Sequence, residues 1–204
     1  LNRGNPFASP PPPAEAQFAP VFGMNVADFD GDGHEDLFVA QNFFASQRET
    51  PRSDGGRGLL LRGDGKGSFT SVPGQESGLK IYGEQRGSAV ADYNRDGRPD
   101  LVVTQNGAST HLYQNVLGSP GLRVRLNAGP ANPTGVGAIA RLIFAEKKGP
   151  AKIVTAGSGY WSQDSATLIF ARPTVPIKIE VQWPHGQTIT TAIPTSEDEI
   201  EVTP

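Results

Sequence analysis

Residues 26–42 read VADFDGDGHEDLFVAQN, and residues 90–106 read VADYNRDGRPDLVVTQN. Ten of the seventeen positions are identical, at an offset of 64 residues. Each copy places an acidic, glycine-containing loop between two apolar segments. Self-similarity at a fixed period is typical of repeat architectures. This internal repeat therefore predicts a repeat architecture for this part of the chain.

The sequence between the two copies predicts a β-hairpin. Leu59-Leu60-Leu61 and residues 68–72 (SFTSV) are candidate strands, and the glycine-rich stretch GDGKG at 63–67 is a turn between them. Each repeat then supplies about four short strands, which is the content of one propeller blade. No convincing amphipathic helix is visible. Residues 21–118 are thus predicted to form two blades.

A different pattern begins after residue 118 and predicts a separate, small β-domain over residues 119–204. Apolar and polar residues alternate in two stretches, with the apolar positions at Leu122, Val124, Leu126, and at Ile177, Ile179, Val181, Trp183. A period of two is typical of half-buried strands. Residues 138–145, 152–155 and 167–170 are further candidate strands. The proline-rich residues 1–20 are predicted to be a linker or surface loop.

Composition excludes several classes of protein. A net charge of −3 gives no reason to expect a nucleic-acid partner. The chain has no cysteine, so bound metal is one candidate for the stabilisation that disulfides would otherwise supply. No apolar run approaches the roughly 20 residues of a membrane helix. Because the sequence begins at Leu1 and its only methionine is Met24, we expect a processed product or a fragment, with any targeting segment upstream.

The two acidic loops predict two calcium sites. Side-chain oxygens occupy positions 1, 3, 5 and 9, which are Asp28, Asp30, Asp32 and Asp36 in the first loop and Asp92, Asn94, Asp96 and Asp100 in the second. Calcium takes about six to eight oxygen ligands, and alternate residues of a tight loop can point at one centre. Position 6 is glycine in both loops, which permits a positive φ. Position 7, His34 or Arg98, is expected to ligate through its backbone carbonyl while its side chain faces solvent.

Other interpretations of these loops fit less well. An EF-hand needs a glutamate at position 12 and flanking helices, whereas position 12 here is Val39 or Val103 in a predicted strand. Magnesium prefers a rigid octahedron rich in water. A metal-free turn would hold several carboxylates together without a compensating cation. An acid–base pair is not needed, since metal ligation already explains the spacing.

Three other features have competing interpretations. Arg62-Gly63-Asp64 spells a cell-adhesion tripeptide, but it lies where the hairpin turn belongs. The isolated His111 and His185 are interpreted as a strand-surface and a turn residue. Tyr160-Trp161 and Trp183 would suit a sugar-stacking platform. The core is favoured for these aromatics, because large rings usually supply the core of a small β-domain.

The repeats resemble FG-GAP/VCBS repeats, as found in integrin-α-type β-propellers. The shared features are D-x-[DN]-x-D-G-x-x-D-L, the preceding Phe22-Gly23, and LRGDGKGSF at 61–69. The C-terminal part resembles the ASPIC/UnbV domain through GVGA at 135–138, AGSGYWSQ at 156–163 and VQWPHG at 181–186. The pairing is similar to the C-terminal portion of the cartilage-acidic-protein-like family. This resemblance implies secretion, calcium and a propeller, and no known reaction.

The sequence therefore predicts an all-β, non-catalytic protein: blades of an incomplete propeller followed by an ASPIC/UnbV-like β-domain. No Ser-His-Asp order, phosphate loop or His/Cys cluster suggests an enzyme. We expect an extracellular, cell-surface or periplasmic scaffold or recognition module that binds a protein or a surface glycan. Two alternatives stay open: an accessory part of a polysaccharide-active enzyme, and a subunit of a cell-surface assembly.

Two blades are fewer than a closed propeller needs, which is at least about four. Upstream blades or another subunit are therefore expected to complete it. Leu59, Leu61 and Val102 are expected to need such a neighbour, because a repeat buries its apolar face against the next repeat.

Overall fold

A computed structural model describes residues 11–45, 47–49, 51 and 53–204. Strands dominate these residues, as the sequence predicted, and the two helical elements are single turns: a 3₁₀ turn at Ala14–Gln17 and an α-helical turn, α1, at Gly74–Ser77. The strands are β1 (Val21–Ala27), β2 (Asp36–Gln41), β3 (Leu59–Gly63), β4 (Phe69–Val72), β5 (Gln85–Ala91), β6 (Asp100–Gln105), β7 (Ala108–Tyr113), β8 (Leu122–Leu126), β9 (Ile139–Ile143), β10 (Lys152–Ile153), β11 (Leu168–Phe170), β12 (Lys178–Gln182), β13 (Thr188–Ala192) and β14 (Glu199–Val202). Residues 1–10 of the proline-rich segment lie outside the described residues.

The first repeat forms a four-stranded antiparallel sheet in the order β1-β2-β3-β4, which we call blade 1. The predicted hairpin is present, with Gly63 of β3 opposite Phe69 of β4. Its turn is closed by Asp64, whose carboxylate accepts hydrogen bonds from the N–H groups of Lys66 (2.7 Å) and Ser68 (3.0 Å). The Arg62-Gly63-Asp64 tripeptide therefore lies at the hairpin turn, as expected.

The second repeat forms a three-stranded sheet in the order β5-β6-β7, called blade 2, so the prediction of about four strands per repeat is wrong for this copy. The chain that follows β7 is bonded to the two acidic loops instead of forming a fourth strand. The Asn115 N–H donates to Asp100 Oδ1 (2.7 Å), and the Asn115 side-chain amide donates to the Phe29 carbonyl (2.7 Å). The Ser119 N–H then donates to the Asp30 carbonyl (3.0 Å).

The two blades pack face to face around a small shared core. The members of this core come from both blades and from the segment between them: Phe38, Ala40, Leu79, Ile81, Leu101 and Val103. The expectation that Leu61 lacks cover is wrong, since it is 1% exposed, whereas Leu59 and Val102 are half-buried. The open part of blade 1 is β1, where Met24 and Val26 are 56% and 61% exposed.

The C-terminal part forms two sheets, β10-β9-β12-β13 and β11-β8-β14, which enclose one hydrophobic core. Trp183 belongs to this core, as favoured from the sequence. Ile177 does not, because β12 begins one residue later and Ile177 is 49% exposed. Trp161 and Tyr160 also contradict the core interpretation, being 90% and 44% exposed.

A loop of the C-terminal domain covers the inner strand of blade 2. The Ser165 N–H donates to the Val90 carbonyl (2.9 Å), and Asp164 Oδ1 accepts from the Val90 N–H (2.7 Å). Gly87 lacks a side chain where the Trp161 carbonyl and Ser162 approach it closely. The segment 162–165 thus lies along the edge strand β5, and Asp164 Oδ1 also accepts a hydrogen bond from the side-chain amide of Asn25 in β1 (3.0 Å).

Candidate metal centre

The first acidic loop joins β1 to β2 and winds around the carboxylate of Asp28. Asp28 Oδ1 accepts hydrogen bonds from the N–H groups of Gly31 (2.7 Å) and Asp32 (3.1 Å), and Oδ2 accepts from Gly33 (2.7 Å). Three backbone donors therefore fix this carboxylate. The loop has to curl tightly to reach this carboxylate, which explains the glycines between the aspartates, Gly31 and Gly33.

Asp36 ties the end of the same loop to the next strand. Its Oδ2 accepts from the Phe29 N–H (2.9 Å), and its Oδ1 accepts from the Gly63 N–H of β3 (2.9 Å). One oxygen each of Asp28, Asp30 and Asp36 lie within 4.8 Å of one another. The structure thus brings together positions 1, 3 and 9 of the predicted ligand set.

Asp32, at position 5, lies outside that group of three. Its Oδ1 accepts from the His34 N–H (2.7 Å), and its Oδ2 is 3.3 Å from His34 Nδ1. Its side chain is 42% exposed. His34, at position 7, is also substantially exposed, as the sequence predicted.

The second loop, between β5 and β6, repeats most of the hydrogen bonds of the first. Asp92 Oδ1 accepts from the Asp96 N–H (3.0 Å), and Oδ2 accepts from the Gly97 N–H (2.8 Å). Asp100 Oδ2 accepts from the Tyr93 N–H (3.1 Å), as Asp36 does from Phe29. Asn94 Oδ1 takes the place of Asp30 Oδ1, accepting from Asp96 (3.2 Å). The two loops therefore share one geometry.

A second left-handed position was not predicted from the sequence. Position 6 has the expected positive φ, 95° at Gly33 and 81° at Gly97. Position 4 has it as well, 79° at Gly31 and 61° at Arg95. In the sequence, only Gly31 of the first loop indicates a positive φ at position 4, because arginine rarely adopts such a conformation.

The expectation that the side chain at position 7 faces solvent is wrong for Arg98 of the second loop. Its Nη1 pairs with Asp96 Oδ2 (3.1 Å), and its Nε donates to the Gly118 carbonyl (2.5 Å). The side chain is 24% exposed. It folds over the loop because a carboxylate and a backbone carbonyl are both within reach.

Burial leaves three carboxylates of the two loops, Asp28, Asp36 and Asp100, short of compensating charge. Burial raises the pKa of Asp28 to about 6, against the opposing effect of the hydrogen bonds from Gly33 and Gly31. Burial likewise raises the pKa of the two position-9 residues, Asp36 and Asp100. A divalent cation would favour the charged forms. The donor set consists of hard oxygen ligands, which suits calcium.

The charges around the two loops differ. The first loop has four carboxylates at positions 1, 3, 5 and 9, besides Glu35, which pairs with Lys152 (2.7 Å), and Arg62 Nε contacts Asp30 Oδ2 at 2.8 Å. The second has three carboxylates, and its Asp92 forms a buried ion pair with Arg123 of β8. Arg123 also donates to Glu199 of β14 (2.8 Å). The Asp92–Arg123 pair could not be predicted from the sequence, because the alternating pattern assigns Arg123 to the outer face of a half-buried strand.

The fold and these loops define a class: a protein of propeller-type blades with acidic metal-type loops, followed by a C-terminal β-domain. A family model described as FG-GAP-like repeat matches residues 28–103, and one described as ASPIC and UnbV matches residues 129–204. The chain therefore contains an FG-GAP-like repeat region followed by a region that matches the ASPIC and UnbV model, the architecture that the sequence resemblance indicated. The search of curated proteins found no match.

Proposed function

We propose that this protein is a calcium-stabilised, non-catalytic recognition or scaffold module. The observation that supports it is the hydrogen-bond pattern shared by the two loops, which fixes the carboxylates at positions 1 and 9 in both. Bound calcium would supply the positive charge that the buried carboxylates of Asp28, Asp36 and Asp100 lack. The side chains at positions 1, 3, 5 and 9 would hold it: Asp28, Asp30, Asp32 and Asp36 in the first loop, and Asp92, Asn94, Asp96 and Asp100 in the second. Asp32 would have to turn from its present contacts with His34 to reach the ion.

The proposed role of calcium is structural, because the last aspartate of each loop also bonds a neighbouring part of the blade. The position-9 aspartates are the key connectors. Asp36 bonds β3 through the Gly63 N–H, and Asp100 bonds the segment after β7 through the Asn115 N–H. A cation that holds Asp36 and Asp100 would keep the outer strands fixed to the loop.

Calorimetric titration with calcium tests this proposal. We expect two ions per chain, with tighter binding in the first loop because of its extra carboxylate. Asp32→Ala and Asp96→Ala should each leave one ion, since these side chains are the more exposed acids, 42% and 25%, and can be removed with little damage to folding. Asp64→Ala, in the hairpin turn, is the control and should leave both ions. A mutant at position 5 that still binds two ions contradicts the ligand assignment.

An extracellular, cell-surface or periplasmic location follows from the same proposal. No helix among the described residues is long and apolar enough to cross a membrane. Loops without the EF-hand glutamate are expected to bind calcium weakly, with Kd values on the order of 10⁻⁴–10⁻³ M, as in extracellular modules. Cytosolic calcium would leave such sites empty. Fractionation of the native cells should find the protein outside the cytosol, and a cytosolic protein would overturn this assignment.

A further inference from the structure

The most exposed large side chain of the described residues is Trp161, which is 90% accessible to solvent. It lies in the loop of the C-terminal domain that packs along blade 2. Its backbone φ is +51°, a conformation that costs a bulky residue of the order of 1–3 kcal/mol. Such strain persists only where the surrounding structure imposes it. Contacts with neighbouring residues must therefore stabilise this backbone conformation and keep the indole exposed.

Hydrogen bonds hold the Trp161 loop on both sides. Across it, the Ser158 N–H donates to the Ser162 carbonyl (3.0 Å), and Gln163 Nε2 donates to the Thr155 carbonyl (3.0 Å). The Ser162 hydroxyl oxygen accepts from the Ser88 N–H of blade 2 (3.0 Å). The loop is thus fixed to both domains, and the indole is presented with little conformational freedom left to lose on binding.

Other aromatic rings lie beside Trp161. Its ring stacks on Tyr160, with centroids 6.0 Å apart and planes 23° apart. Tyr160 in turn meets Phe22 of β1 edge-on at 5.9 Å, and the guanidinium of Arg86 lies 4.1 Å from the Phe22 ring centre. Tyr160 therefore lies beside the indole without covering it, and most of the Trp161 side chain stays open to solvent.

A cleft of about 630 Å³ opens beside Phe22 and Tyr160, between β1 and the C-terminal domain. Trp161 is not one of its lining residues and adjoins the cleft through Tyr160. Its apolar lining includes Phe22, Met24, Val26, Tyr160 and Ile153. Its charged lining consists of Asp28, Glu35, Asp92, Asp164 and Lys152. Glu35 is paired with Lys152 (2.7 Å), and Asp28 and Asp92 are among the proposed calcium ligands. The volume falls in the range of about 300–1,000 Å³ that small-molecule sites occupy. The cleft lies between two domains, where such sites are common.

We propose that this cleft and the exposed indole of Trp161 bind a neutral oligosaccharide; this assignment rests on the proposed recognition function. A sugar ring has a flat face of C–H groups that packs on an indole, and hydroxyl groups that hydrogen-bond to polar lining such as Ser158 and Asp164. Lys152, the basic residue of the lining, is already paired with Glu35 (2.7 Å), so the cleft offers no unpaired basic side chain to a sulfate or a uronic acid. A stable protein interface buries roughly 800 Å² per partner, which a concave site of this size does not suit.

Intrinsic fluorescence offers a direct test, because the chain has two tryptophans and Trp183 is buried at 3% exposure. Neutral oligosaccharides of glucose, xylose and N-acetylglucosamine are titrated into the calcium-loaded protein, with alginate oligosaccharides as the acidic comparison. We expect a neutral oligosaccharide to shift the emission of Trp161. Trp161→Ala should abolish the shift and weaken calorimetric binding by about tenfold or more, as for a central aromatic anchor.

A control variant at another exposed aromatic residue tests whether binding depends on Trp161 in particular. Tyr82 is 61% exposed and lies under Arg57 at 5.3 Å, away from the residues that line the cleft. Tyr82→Ala should leave oligosaccharide binding unchanged. Trp161→Asn, which tolerates a positive φ better than alanine, should lose binding as Trp161→Ala does. Both Trp161 variants should still bind calcium and melt like the wild type, which shows that they fold.

Three outcomes would overturn the saccharide assignment. The first is that no neutral oligosaccharide binds, or that the Trp161 variants bind as tightly as the wild type. The second is binding of the acidic chain alone. The third is self-association of the wild type that Trp161→Ala abolishes, since the exposed indole would then belong to a protein interface. Calcium binding is measured separately, so a protein that binds calcium but no sugar fails this inference and not the calcium proposal.

Discussion

Replacement of Arg123 by alanine should destabilise the folded protein by about 3–5 kcal/mol, the range for breaking a buried ion pair. The side chain of its partner Asp92 is 1% exposed and would keep a charge that water cannot reach. The effect should be smaller in excess calcium than in EGTA, because a cation in the second loop would also neutralise Asp92. Urea unfolding at both calcium levels measures the difference.

Arg125, two residues along the same strand, provides the matched control. Its side chain is 56% exposed and pairs with Glu201 at 3.0 Å. An exposed pair contributes between zero and about 1 kcal/mol, so Arg125→Ala should lie within that range. Equal losses for Arg123→Ala and Arg125→Ala would show that the buried pair does not hold the C-terminal domain to the second loop.

Features that depend on neighbouring residues in the chain could be predicted from the sequence. The spacing of the aspartates indicated both loops, and the glycines between β3 and β4 indicated the hairpin. Position 12 of each loop lies in a strand, at Val39 and Val103, which confirms the distinction from an EF-hand. The predictions of loops, strands and hairpin succeed because hydrophobic periodicity and turn chemistry are local properties; calcium ligation by the loops stays a prediction.

Features that depend on contacts distant in sequence could not be predicted. Arg123 is 31 residues from Asp92, and a period-2 pattern assigns it only to the outer face of a strand. Blade 2 has no fourth strand, because the segment after β7 bonds the acidic loops through Asn115. The spacing of residues in the sequence does not indicate these bonds. Trp161 remains exposed because Ser162 and Gln163 fix its loop, although ring size alone favours burial. Whether a further blade or subunit covers Met24 and Val26 stays a prediction.

Removal of calcium is the second large effect expected. A site with a Kd of about 10⁻⁴ M contributes about 2.7 kcal/mol to the free energy of unfolding in about 10 mM calcium. Two such sites contribute about 5 kcal/mol together. For a chain of this size, about 1 kcal/mol changes the melting temperature by roughly 2–4 °C. The buried carboxylates, Asp28 above all, make the metal-free loops unfavourable and account for this dependence.

Thermal unfolding with and without calcium tests the central claim most directly. The wild-type protein is melted in about 10 mM calcium, in EGTA, and in EGTA followed by excess magnesium or excess calcium. We predict that EGTA lowers the melting temperature by about 10 °C or more, that calcium restores it, and that magnesium restores it less. Identical melting curves in calcium and EGTA would contradict the claim that these loops bind calcium to stabilise the blades.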